Sequence, residues 1–129
     1  MARPVSTQPT EVELQILSVL WESGPCTVRQ VHDTLLQSRD TGYSTTLKMM
    51  QVMLDKGLLQ RDASVRPQLY RAAKTKQQTQ MKMLDNLTAK AFSGSAKRLV
   101  MQMVSTGRLS ADELAEIQQL LKEAEGGTP

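Results

Sequence analysis

Apolar residues recur at helical spacing near the start of the chain. Val12, Leu14, Ile16, Leu17, Val19, Leu20 and Trp21 form one dense stripe. Thr10 followed by Glu13 has the spacing of a capping box, and Gly24-Pro25 stops the run, so the first helix lies between them. Thr27 opens a second helix, with Val28, Val31 and Leu35 on one face and Leu36 as an optional fourth member; it fades by Gln37-Ser38. Gly42 marks a turn, and Ser44 or Thr45 is expected to cap a third helix. Leu47, Met49, Met50, Met53 and Leu54 supply its apolar residues. Asp55-Lys56-Gly57 finishes it, with Gly57 suited to a left-handed cap.

The period then changes. Leu58–Arg61 and Gln68–Arg71 are short and strand-like, and the polar, Pro-containing stretch 62–67 between them reads as the loop of a β-hairpin. From Thr75 the pattern returns to helix. A long segment rich in Lys, Gln and Met runs to about Phe92, and Ser93-Gly94-Ser95 breaks it. A short helix follows over Ala96–Val104, ended by Thr106-Gly107. A last helix starts at the capping box Ser110-Ala111-Asp112-Glu113 and carries Leu114, Ile117, Leu120 and Leu121 on one stripe. The expected organisation is a flexible arm over 1–9, a first domain over 10–74, a helical region over 75–125 and a frayed tail over 126–129.

Composition narrows the core and the partners. Apolar residues make up 40% of the 129 positions but aromatics only 3%, so Leu, Val and eight Met must fill the interior, which favours helices over a β-sandwich. The net charge of +3 is modest, yet residues 48–74 hold six basic and two acidic residues, a local +4. Met1–Thr10 has no apolar core of a signal peptide, and about 18 consecutive apolar residues occur nowhere, so the expectation is a soluble cytoplasmic protein without membrane partners.

Three helices and a hairpin within about 65 residues are the layout of a winged helix-turn-helix domain. The fold class expected is mainly α with a small β-hairpin: a winged helix followed by C-terminal helices that make a homodimer. In that layout the third helix enters the major groove and the hairpin wing follows the backbone. Thr46, Met49, Met50 and Met53 lie on the side of the third helix that faces the first two. The residues assigned to the DNA face of this helix are Ser44, Thr45, Leu47, Lys48 and Gln51: hydroxyls and Gln bond base edges, and Lys48 reaches a guanine acceptor or a phosphate. Tyr43, Arg61, Arg66 and Arg71 are assigned to the backbone and wing contacts. Met83, Leu87, Leu99, Met103, Leu114, Ile117 and Leu121 are assigned to dimerisation, because one chain offers these apolar faces little cover and small oligomers are mostly twofold.

Three stretches, TEVELQILSVLWESGPCTVRQVHDTL, YSTTLKMMQVMLDKGLLQRD and the wing up to QLYRAA, together with RLSADELAEIQQLL, resemble the penicillinase-repressor family of winged-helix regulators. The likeness extends over roughly residues 8–124. It implies a bacterial homodimer that represses nearby genes from an inverted-repeat operator, with C-terminal helices interlocked between protomers. It also implies a regulatory protease as a partner, since family repressors of β-lactam resistance are cut at an Asn-Phe bond. The matching stretch here reads Val100-Met101-Gln102-Met103-Val104 and lacks that pair. The cysteine cluster of the family's copper-responsive branch is absent too. Val52 stands on the outer side of the third helix where relatives often carry a basic residue.

Other functions find little vocabulary. One His and one Cys, with no Gly-rich phosphate loop and no metal-ligand spacing, argue against an enzyme, a metal site or a cofactor. His32 reads as a surface or satisfied core residue, and Cys26 as a small buried hydrophobe. The competing function is a winged helix used as a protein-interaction module without specific DNA binding.

Overall fold

The computed structural model describes residues 8–126, so most of the expected arm and the last three residues of the expected tail fall outside it. Three helices come first: α1 (Glu11–Ser23), α2 (Val28–Leu35) and α3 (Tyr43–Asp55). The capping box at α1 is complete. Thr10 Oγ1 accepts from the Glu13 N–H at 3.2 Å, and Glu13 Oε1 accepts from the Thr10 N–H at 2.9 Å. Thr27 and Gln30 make the same reciprocal pair at α2, at 3.1 and 2.9 Å. Gly24 closes α1 at a φ of +76°, where a side chain is strained.

The start of α3 differs from the sequence expectation. Gly42 is its N-cap and gives no side-chain hydrogen bond, while Ser44 and Thr45 lie inside the first turn. The pattern rule looks for a hydroxyl at the boundary, but here the helix is entered two residues before Ser44, at glycine. Both hydroxyls are therefore spent on no cap. Leu36 also departs from expectation: it follows the last helical residue of α2 and stays 48% exposed.

β1 (Leu59–Asp62) and β2 (Leu69–Ala72) pair antiparallel, with Leu59 opposite Ala72 and Arg61 opposite Tyr70. Cys26 adds a single bridge to the hairpin. Its N–H donates to the Tyr70 carbonyl at 3.0 Å, and the Tyr70 N–H donates to the Cys26 carbonyl at 2.8 Å. One residue has no period-2 pattern, so this link between the α1–α2 turn and the wing left no trace in the sequence.

Ile16, Leu17 and Leu20 from α1 meet Val28, Val31 and Leu35 from α2, Met50 and Met53 from α3, and Leu59 and Tyr70 from the hairpin in one core. Ile16, Val31, Met50 and Met53 are fully buried, each worth about 1.5–3 kcal/mol over an exposed position. Trp21 lies at the margin of this core, and its Nε1–H donates to the Lys74 carbonyl at 3.0 Å, fixing the segment that leaves the wing.

An ion pair crosses the same region. Lys56 Nζ lies 2.8 Å from Glu13 Oε1 and 3.0 Å from Oε2, and the two side chains are only 13% and 8% exposed. Burial pushes the Glu13 carboxyl up, but hydrogen bonds from Lys56 and Thr10 outweigh it and hold the group below its ordinary range. Lys56 also follows the last turn of α3, where a cation is favoured by the helix dipole.

The chain divides after Met83 into two compact units. α4 (Lys76–Ala91) runs across the division, and α5 (Ala96–Ser105) and α6 (Ala111–Gly126) follow. Thr75 and Gln78 form a capping box before α4, Ser95 caps α5 through the Arg98 N–H, and Ser110 with Glu113 caps α6 at 3.1 and 2.8 Å. None of these three helices contains a buried residue. No described helix is long and apolar enough to cross a membrane.

Replacing Lys56 by Met leaves the Glu13 carboxylate buried beside an apolar chain, and the expected loss is about 3 kcal/mol near pH 7. Because Glu13 titrates low in the folded state, the pair stabilises above the ordinary carboxylate range and its contribution is lost as pH falls through the lowered value. Urea unfolding of both proteins across that interval should therefore show the Lys56→Met difference shrinking on acidification.

Candidate nucleic-acid interface

The surface of α3 divides by burial. Thr46, Met50 and Met53 are buried, at the spacing of one helix face. Ser44, Thr45, Lys48, Gln51 and Val52 are exposed on the opposite side. Leu47 packs partly against the core, which puts it at the margin of that exposed face. With Gly42 as a silent cap, the outward-facing hydroxyls and Lys48 sit beside the N–H-rich first turn of the helix.

Beneath this face lies a polar contact inside the core. His32 of α2 is buried, with Nδ1 2.9 Å from Thr46 Oγ1. Thr46 Oγ1 also donates to the Gly42 carbonyl at 3.5 Å. The His32 ring also meets Tyr43 edge-on, with centroids 5.6 Å apart and an interplanar angle of 87°. On the outer side of Tyr43 the Arg29 guanidinium sits 4.2 Å from the ring centroid. Arg29 escaped the sequence reading. Basic character at the second position of α2 has no periodic partner, and only the packing of α2 on α3 brings it to Tyr43.

The wing carries its charge on both faces. Paired residues in a ladder share a face, so Arg61 lies with Tyr70 on the side of Leu59, and Arg71 with Gln60 on the other. Arg71 Nε donates to Gln60 Oε1 at 2.9 Å. Arg66 stands in the loop between the strands, where all residues from Ala63 to Pro67 are exposed. Asp62 accepts from the hydroxyl and the N–H of Ser64; these bonds keep its carboxyl below the ordinary range and stiffen the start of the loop. Of the six basic residues in 48–74, Lys56 is taken by Glu13, whereas Lys48, Arg61, Arg66, Arg71 and Lys74 are exposed.

Metal and thiol chemistry gain no support. Among the described residues no group of three His, Cys, Asp or Glu side chains is placed to hold a metal. Cys26 is buried, and burial pushes its thiol up, away from the reactive thiolate.

The model of the penicillinase repressor family covers residues 9–123. The chain belongs to the penicillinase repressor family. It is also 29% identical over 123 residues to the transcriptional regulator BlaI from two strains of Mycobacterium tuberculosis, CDC 1551 / Oshkosh and H37Rv, with 94% of this chain and 88% of each relative covered. As a penicillinase repressor family member the chain is a DNA-binding transcriptional repressor rather than an enzyme. The resemblance read from the sequence, and the winged helix with its hairpin and C-terminal helices, are thereby borne out.

Thr46→Val keeps the shape of the buried side chain but deprives His32 of its partner. An unpaired buried polar group costs about 1–3 kcal/mol, so chemical unfolding should register a loss of that size, larger than for Thr45→Val on the exposed face.

Proposed function

We propose that the protein is a homodimeric repressor that binds an inverted-repeat operator, reading bases through Ser44, Thr45, Lys48 and Gln51 and the backbone through Tyr43 and the wing arginines. The observation that carries this reading is the division of α3: Thr46, Met50 and Met53 are fully buried against the core, while Ser44, Thr45, Lys48 and Gln51, with Val52 beside them, are left to solvent. Hydroxyls, an amide and an ammonium are the donors and acceptors that base edges require, and a helix of this width fits the major groove. Exposed arginines on both faces and the loop of the hairpin suit phosphates on either side of a groove.

The dimer follows from what one chain leaves uncovered. Leu87, Val100, Met103, Val104, Leu120 and Leu121 are exposed, at fractions from 40 to 65%. Helices that bury nothing of their own derive little stability from propensity, so their apolar stripes call for a partner surface. A second copy supplies it symmetrically, and two copies bring two recognition helices to a palindrome, whose half-sites are about 34 Å apart. With about four phosphates met per protomer, the logarithm of affinity should fall against the logarithm of salt with a slope of about −7 for the dimer. Repression then consists of the dimer occupying DNA that a polymerase must use. Val100–Val104 lies in α5 without an Asn-Phe pair, so relief of repression by a protease would need a different bond.

Lys48→Ala should weaken operator binding about tenfold or more by fluorescence anisotropy and leave the melting temperature unchanged, because Lys48 is exposed. Equal binding by Lys48→Ala and wild type would contradict the assignment of the recognition face. Met103→Glu and Leu121→Glu each place an unpaired charge in the proposed seam. Sedimentation velocity should show dimer giving way to monomer in both, with at least about a tenfold weaker association.

A further inference from the structure

We propose that Arg29 is a DNA backbone-phosphate contact, stacked in place by Tyr43. The proposal rests on the DNA-binding reading above and extends it from α3 and the wing to α2. Three contacts in series carry it. His32 is anchored in the core by Thr46, its ring meets the edge-on Tyr43, and Tyr43 presents its outer face to the Arg29 guanidinium 4.2 Å away. The chain of contacts runs from a fully buried residue of the recognition helix to an exposed cation on its neighbour.

Stacking suits this task for a physical reason. An arginine that must find a phosphate from a free side chain surrenders its rotamer freedom on binding. Lying on an aromatic ring orders the guanidinium beforehand, and it consumes the flat face of the group while leaving the N–H donors at its edge free. Those donors match a phosphate in a bidentate pair. Arg29 is in no ion pair among the described residues, although Asp33 lies one turn further along α2. Tyr43 is the first residue of α3 and directly precedes Ser44 and Thr45, so the stacked cation borders the polar face instead of standing on it. A bordering position meets the sugar-phosphate strand that flanks a major groove, not the base edges within it.

The test compares duplexes of different sequence, because a phosphate contact is blind to sequence. Binding of the full-length protein to a random-sequence duplex and to a selected operator duplex would be measured by anisotropy between about 50 and 200 mM salt. Arg29→Ala should weaken both complexes by a similar factor, roughly tenfold, and reduce the salt slope by about 2 per dimer, one phosphate for each protomer. Tyr43→Leu should weaken binding several-fold with the slope kept, since the charge remains and only its ordering is lost. Tyr43→Phe, which retains the ring face but loses the hydroxyl, should weaken binding less than Tyr43→Leu, again with the slope kept. Unchanged melting of Arg29→Ala separates these effects from a fold defect. An unchanged slope in Arg29→Ala, or a loss confined to the operator duplex, would overturn the phosphate assignment while the repressor reading stands. Absence of salt-dependent duplex binding by the wild type would overturn both.

Discussion

A buried ion pair sets the frame of the winged-helix unit. Glu13 belongs to the first turn of α1 and Lys56 caps the end of α3, so their contact at 2.8 Å joins the entry of one helix to the exit of another. Glu13 also closes the α1 capping box, which means that one carboxylate fixes where α1 begins and where α3 ends. A buried pair of this kind adds little net stability over a well-packed apolar pair, yet tolerates few alternative arrangements because each charge is costly without the other. The core beside it is mostly Leu, Ile, Val and Met, shapes that slide easily. A fixed polar contact at the rim gives such a core one orientation.

A second polar contact does for the other end of α3 what the ion pair does for its exit. His32 and Thr46 meet inside the core near the start of the recognition helix, and Tyr43 leans on the same histidine. Base reading demands that side chains reach donors and acceptors spaced a few ångströms apart, so a helix that rotated on a greasy seat would lose its register. The anchors at Thr46 and Lys56, with buried Met50 and Met53 between them, constrain the tilt and rotation of α3. The polar face is presented by the rigidity of what lies behind it, which links the sequence of the core to function on the surface.

Much of this was legible in the sequence wherever a short-range rule governs. The capping boxes at Thr10 and Ser110, the breaker Gly24-Pro25 and the apolar stripes put the helices in place, and the two strands fell within one residue of their expected limits. The inward side of α3 was likewise readable from spacing alone. What escaped depends on contacts between distant segments. The pairing of Lys56 with Glu13 removes a cation that local charge counting had assigned to a basic surface. The bridge of Cys26 to Tyr70, the stacking of Arg29 on Tyr43 and the division of Arg61 and Arg71 between the two faces of the wing arise only once elements pack or pair. The start of α3 failed for a different reason: a glycine cap offers no side chain, so the nearest hydroxyls mimicked a signal they do not give.

The central claim is that this fold reads a palindrome as a dimer. Selection of fragmented genomic DNA on the purified protein at about 150 mM salt, where non-specific binding is weak, tests it most directly. The account predicts recovery of a short inverted repeat, its half-sites about one helical turn apart, upstream of a small set of genes. Recovery of random fragments, or of a single half-site with no repeat, would contradict it.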